Sequence, residues 1–153
     1  MAKLVRVCAF LAVVGLGALA GLHGRASDAS DLLVSLSIAE GASPESVRDA
    51  LAGAGADGYR LAFDLVADPD PRRRAGAAAY LGLRRSRQAV PHLIRLLRDG
   101  EAAVRRAAAS ALGAIGDPRA LPFLERALAD PQLGVAEAAL LSAWQIRQAP
   151  STD

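Results

Sequence analysis

The hydrophobic pattern divides the chain into two unlike parts. From Val7 to Leu22 the run carries no charge and is apolar whichever way it is projected. From residue 43 onward the apolar residues recur three or four apart, which is the spacing of helices that bury one face. These periodic stretches are broken by Gly, Asp and Pro, the residues that mark helix ends and turns. The pattern predicts a charge-free leader followed by a string of short amphipathic helices.

The helical part repeats. The stretch DPRRRAGAAAYLGLRRSRQAVPHLIRLLRD, ending at Asp99, superimposes on GEAAVRRAAASALGAIGDPRALPFLERALAD, ending at Asp130, at one constant offset. The coincidences include Arg74/Arg105, Ala77/Ala108, Leu81/Leu112, Gly82/Gly113, Ala89/Ala120, Pro91/Pro122, Leu93/Leu124, Leu97/Leu128 and Asp99/Asp130. The same offset extends backward to a second helix over Tyr59 to Asp68 and to a degenerate first helix over Ser43 to Gly53. In the latter, Ser43 reads as the N-cap and Pro44 as the first helical position. Forward, Leu133 to Gln148 repeats only a first helix, giving about three full repeats and a terminal half. Within a unit the first helix is expected to stop near Gly82 or Gly113, and the second takes Pro91 or Pro122 into its first turn. Leu93, Leu96 and Leu97 lie on the buried side of that second helix. One such hairpin cannot cover its apolar face alone, whereas stacked neighbours can. Trp144, on the last helix, is expected to close the core at the end of the stack.

The run V-R-x-x-A-A-x-A-L-G-x-I-G-D-P-R-A-L-P-x-L-x-x-A-L-x-D, from Val104 to Asp130, closely resembles the HEAT-like repeat of the phycobilisome-lyase type. The resemblance covers roughly residues 43–147. It implies an all-α fold, an armadillo-like α/α superhelix that binds protein. It further implies a ladder between stacked repeats, made by the recurring Arg of the first helix and the Asp of the interhelix turn. Arg74, Arg105 and Asp117 match those positions, and Ser86 stands where the earlier Asp would be. It places the second helices on the concave face, so that Asp64, His92, Arg95, Arg98, Phe123 and Arg126 form the expected binding stripe. Arginine and aromatic side chains are common anchors at interfaces.

Composition and charge refine the picture. Ala and Leu abound while aromatics are 4% of residues, which favours closely packed helices over strands. Lys3 and Arg6 precede the apolar run, and small residues follow it, with cleavage expected after Ala20 or Ala26. Residues 1–26 therefore read as a secretory signal peptide, or alternatively as a membrane anchor through residues 7–22. The expected organisation is then a linker with a weak capping helix over 27–42, the repeat domain over 43–148 and a disordered tail over 149–153. The expected location is the periplasm or cell exterior, or the outer side of the inner membrane. Once the leader is removed the net charge falls from +2 to −1, so the pI of 9.2 is partly a property of the leader. Charge is segregated: residues 27–70 carry −7, residues 71–106 carry +8, and the remainder −2.

Candidate chemistry is sparse. The single cysteine, Cys8, lies within the leader, and His92 is the one histidine beyond it. There is no Gly-x-Ser-x-Gly or His-x-x-x-His spacing, so neither a triad nor a metal site is expected, and no cofactor. The expected function is a non-catalytic, exported scaffold or accessory subunit that binds a protein partner. The alternative is binding of nucleic acid or another polyanion through the Arg-rich residues 72–106.

Overall fold

The structure, a computed structural model, describes residues 43–149. The leader over 1–26, the linker over 27–42 with its expected capping helix at Asp31–Ala39, and the tail beyond Ala149 lie outside the described residues. Among the described residues there are seven α-helices and no strands: α1 (Pro44–Gly53), α2 (Gly55–Leu65), α3 (Pro71–Leu83), α4 (Val90–Leu96), α5 (Ala102–Ile115), α6 (Leu121–Ala127) and α7 (Leu133–Gln148). Short 3₁₀ turns, Arg87–Ala89 and Pro118–Ala120, lead into α4 and α6. This is a short α-solenoid. No described helix is long and apolar enough to cross a membrane.

Local chemistry sets the helix starts. Ser43 caps α1, its Oγ accepting from the Ser46 N–H at 3.3 Å, with Pro44 at the first helical position. Asp70 caps α3 by accepting from the Arg72 N–H at 2.9 Å. A side-chain oxygen at these positions satisfies one of the amide donors that a helix start leaves without a partner.

The helices form two layers. The odd-numbered helices stack directly on one another, α1 on α3, α3 on α5 and α5 on α7, while α2, α4 and α6 pack against them and meet one another only marginally. Gly82 and Gly113 explain the closeness of the first layer. A Cβ added to Gly82 would lie 2.7 Å from the Ala111 Cα, and one added to Gly113 would lie 2.4 Å from the Ser142 Oγ. These glycines do not end their helices as expected. The helices continue to Leu83 and Ile115, and the glycines serve instead as points where the next helix approaches. In α5 the turn out of the helix is made by Gly116, whose φ of 75° is left-handed and suits glycine.

The core lies between the layers. Leu81, Leu93, Leu112 and Leu124 are fully buried, as are Val47, Leu51 and Val104. Each such side chain contributes roughly 1.5–3 kcal/mol relative to remaining exposed. Trp144 does not join them. It is 60% exposed on α7, beside exposed Leu140 and Leu141. The reason is the terminal half-repeat: among the described residues no second helix follows α7 to cover that side.

An arginine ladder ties the repeats together, with partners that differ from the expected ones. Arg74 donates from Nε and Nη2 to the Asp99 carboxylate at 2.7 and 2.8 Å, and Arg105 does the same to Asp130 at 2.7 and 2.9 Å. Nη1 of each arginine also binds two carbonyls of the loop before its own helix: Asp68 and Pro69 for Arg74, Asp99 and Gly100 for Arg105. The rungs thus use the Asp that follows each second-layer helix. Asp117 is not part of the ladder. It caps its own turn, accepting from the Arg119 N–H at 2.9 Å, and pairs with the Arg119 guanidinium at 2.7 Å. Its counterpart Ser86 is likewise buried and meets the Tyr59 hydroxyl at 2.7 Å.

Candidate binding groove

The residues of the expected stripe lie on or just beyond α2, α4 and α6, and the structure brings only some of them together. Arg98, Phe123 and Arg126 border a cleft of about 180 Å³ between α4 and α6. The Arg126 guanidinium sits 5.9 Å from the centre of the Phe123 ring, a cation–π arrangement. Arg95 and Asp64 are exposed and stand outside that cleft. His92 is half-buried, with its ring edge-on to Phe63 at 5.4 Å, and Phe63 meets Tyr59 in the same way at 5.2 Å. The His92 Nδ1 is buried without a hydrogen-bond partner among the described residues. This histidine is part of an aromatic row between α2 and α4.

The larger concavities are on the opposite layer. A cavity of about 700 Å³ opens between the C-terminal halves of α5 and α7 and the α3–α4 connection. A second, of about 410 Å³, lies across α1, α3, α5 and α7. Ser110, Ala138 and Leu141 border both, so the two form one groove along the odd-numbered helices. None of the residues of the expected stripe borders either cavity, so these two concavities lie along the first helix of each repeat rather than the second.

The floor of the groove is made of small side chains, Ala75, Ala79, Ala107 and Ala138, which leave room above the helices. Its rim is charged. The narrower cavity has Arg48 and Arg106 against Glu45 and Glu137, whereas the wider one has Arg85 and Arg87 and no carboxylate among the described residues. Arg85 has a φ of 48°, the one left-handed non-glycine residue among those described. It occupies the position that Gly116 holds in the following repeat. Placing a residue with a Cβ there costs on the order of 1 kcal/mol relative to glycine.

Sequence reasoning overlooked these residues, and the repeat alone does not mark them. When α3 is laid on α5, Ala75 meets Arg106, Ala79 meets Ser110 and Leu83 meets Ala114, but the buried Tyr80 also meets the buried Ala111, so a difference between repeats is no sign of the groove.

The Arg-rich segment is less cationic than its composition suggests. Arg72, Arg73, Arg74 and Arg105 are engaged with Asp70, Asp68, Asp99 and Asp130. Burial raises the Asp99 pKa, but the Arg74 guanidinium and the Glu101 N–H outweigh it and leave the carboxyl below its ordinary value. Arg105 holds Asp130 below that value, and Arg119 does so for Asp117. No group of three His, Cys, Asp or Glu side chains among the described residues is arranged to hold a metal ion.

The profile of HEAT repeats matches residues 61–144, more than half of the chain. The chain belongs to the HEAT-repeat family. No sequence among curated proteins matches it. Among solved structures, human deoxyhypusine hydroxylase, in complex with glycerol, superimposes with a TM-score of 0.62 at 27% identity over 79% of this chain. This HEAT chain spans 44% of that enzyme. The likeness overturns the expectation of a non-catalytic scaffold: a protein with a similar helical architecture is an enzyme. The export part of that expectation rests on residues that are not described.

Proposed function

We propose that this HEAT chain supplies the protein-binding part of an enzymatic activity, with its odd-helix groove holding a segment of the protein acted upon. HEAT repeats commonly mediate protein interactions. The observation that carries the reading is the continuous groove through Ser110, Ala138 and Leu141, which is long enough to cross all four odd-numbered helices and has charged residues at its rim. A largely pre-formed concave surface with a few placed polar groups is the usual form of a binding site. Likeness to a hydroxylase supports the enzymatic half of the proposal, and the share of that enzyme covered leaves further residues to be contributed from outside the described region.

The test uses Ser110→Trp, which fills the groove at an exposed position shared by both cavities. Partner proteins recovered with the full chain from its native host are compared by mass spectrometry between wild-type and Ser110→Trp strains. The expected result is a partner that carries a covalent change in the wild-type strain and loses it in the variant strain. A partner of the same mass in both strains would contradict the proposal. The leader reading of residues 1–26 is an independent proposal. It predicts a natively expressed chain lacking residues through Ala20 or Ala26, and an intact N-terminus would refute cleavage.

A further inference from the structure

We propose that Arg85 and Arg87 form an anion subsite at the wide end of the groove, and that its occupant is a Glu or Asp side chain of an acidic protein segment lying along the odd-numbered helices. The inference deepens the groove reading and rests on it.

Three features converge on this corner. First, Arg85 and Arg87 are both exposed, both border the cavity of about 700 Å³, and neither has an ion-pair partner among the described residues. This sets them apart from Arg72, Arg73, Arg74 and Arg105 in the same basic stretch, whose charges are matched by aspartates. Second, no carboxylate among the described residues borders the cavity. Asp117 feels the charge of Arg87, but it is buried and already held by the Arg119 side chain and N–H. The remaining polar groups at the site, the Ser110 and Ser142 hydroxyls and the Gln145 amide, are neutral and can donate to an oxygen anion. Third, Arg85 adopts a left-handed backbone where the following repeat has glycine. A strained residue bordering a cavity is the kind of outlier from which function is inferred.

Charge complementarity also fixes the direction. Arg48 and Arg106 at the other end of the groove face Glu45 and Glu137, so that end is close to neutral. An extended segment would therefore place its acidic residue over Arg85 and Arg87 and its small neutral residues over the alanine floor. Guanidinium groups bind carboxylates with two parallel hydrogen bonds, which gives geometric selection as well as attraction.

The test measures fluorescence polarisation of a fluorescein-labelled hexaglutamate peptide with the full chain, against hexaglutamine as the uncharged control. Arg85→Gly combined with Arg87→Gln should weaken hexaglutamate binding at least tenfold. The melting temperature should stay level or rise by a few degrees, because glycine relieves the backbone at position 85. Removing Arg95, Arg98 and Arg126 by substitution with Gln should leave binding within twofold. If instead the even-helix triple variant loses binding while the Arg85/Arg87 variant keeps it, the subsite is refuted. Inorganic phosphate displacing the peptide at equal molar concentration, or a random oligonucleotide binding more tightly than the peptide, would also refute it, because either makes the occupant something other than a peptide carboxylate. The groove reading is judged separately. Native-partner capture that survives Arg85→Gly/Arg87→Gln but is lost in Ser110→Trp overturns the anion subsite alone; capture unaffected by Ser110→Trp overturns both.

Discussion

The Arg105–Asp130 pair gives the most direct prediction about stability. Two parallel hydrogen bonds of 2.7 and 2.9 Å join the side chains, which are 13% and 8% exposed. Replacing Asp130 with Ala leaves a guanidinium with little access to water, bound only to the carbonyls of Asp99 and Gly100. Replacing Arg105 with Ala leaves a carboxylate that keeps only the Gln132 N–H at 2.9 Å. Breaking one side of a fully buried pair costs about 3–5 kcal/mol. Here each charge retains a hydrogen bond and some hydration, so each single substitution is expected to cost about 2–3 kcal/mol. The double variant should cost less than the sum of the singles by about 1–2 kcal/mol. Urea unfolding of the four proteins, with the slope checked for constancy, measures the cycle. Arg119–Asp117 is the internal control. Arg119 is 68% exposed and the pair lies within one turn, so its coupling should stay below about 1 kcal/mol. If the Arg105 and Asp130 effects add within about 0.5 kcal/mol, the ladder does not link the repeats as described.

Other outcomes follow from the same structure. Asp99 and Asp130 have depressed folded-state pKa values, so the unfolded chain takes up protons first on acidification; the stability they confer is complete above the ordinary Asp pKa of about 3.9 and is lost as the pH falls from there through the lower folded-state values. Urea midpoints at neutral pH and at a pH below that value should therefore differ more for the parent than for the Asp99→Ala/Asp130→Ala variant, and equal differences would count against the ladder. Gly113→Val should destabilise by about 2 kcal/mol or more, because its side chain meets the Ser142 hydroxyl and Cβ; a melting temperature unchanged from the parent would show that α5 and α7 are not in close contact. Leu96→Asp puts a carboxylate at a site 5% exposed and should abolish the helical signal in circular dichroism at room temperature; a variant that melts like the parent would mean the repeat register is displaced.

The period carried most of the fold. Matched Gly, Pro, Leu and Asp at one constant offset located α3 to α6, and the cap at Ser43–Pro44 located the start of α1. The role of Gly82 and Gly113 was not legible, because a glycine near a helix end serves equally well as a terminator or as a contact point. Only the position of Ala111 and Ser142, on the next helix, distinguishes the two. The ladder was half legible for a similar reason. Its arginines recur visibly, but both Asp117 and Asp130 lie at turns, and the chain must fold before Arg105 selects the more distant one. Trp144 read as core because a large aromatic on an amphipathic helix usually is, and the lack of a second helix after α7 among the described residues leaves it exposed. The groove was missed because its floor is alanine. In a sequence, alanine at helical spacing signals close packing, and nothing at Ala75, Ala79 or Ala107 announces that one side of the layer faces open space.

The groove itself is tested most directly by photo-crosslinking in the native host. Benzoylphenylalanine is placed in the full chain, one position at a time, at Glu137 and Leu141 on the border of the groove and at Arg95 and Arg126 on the even-numbered helices. All four positions are exposed. One shared adduct is expected from Glu137 and Leu141 and none from Arg95 or Arg126. Adducts confined to Arg95 and Arg126 would contradict it and return the binding surface to the short helices.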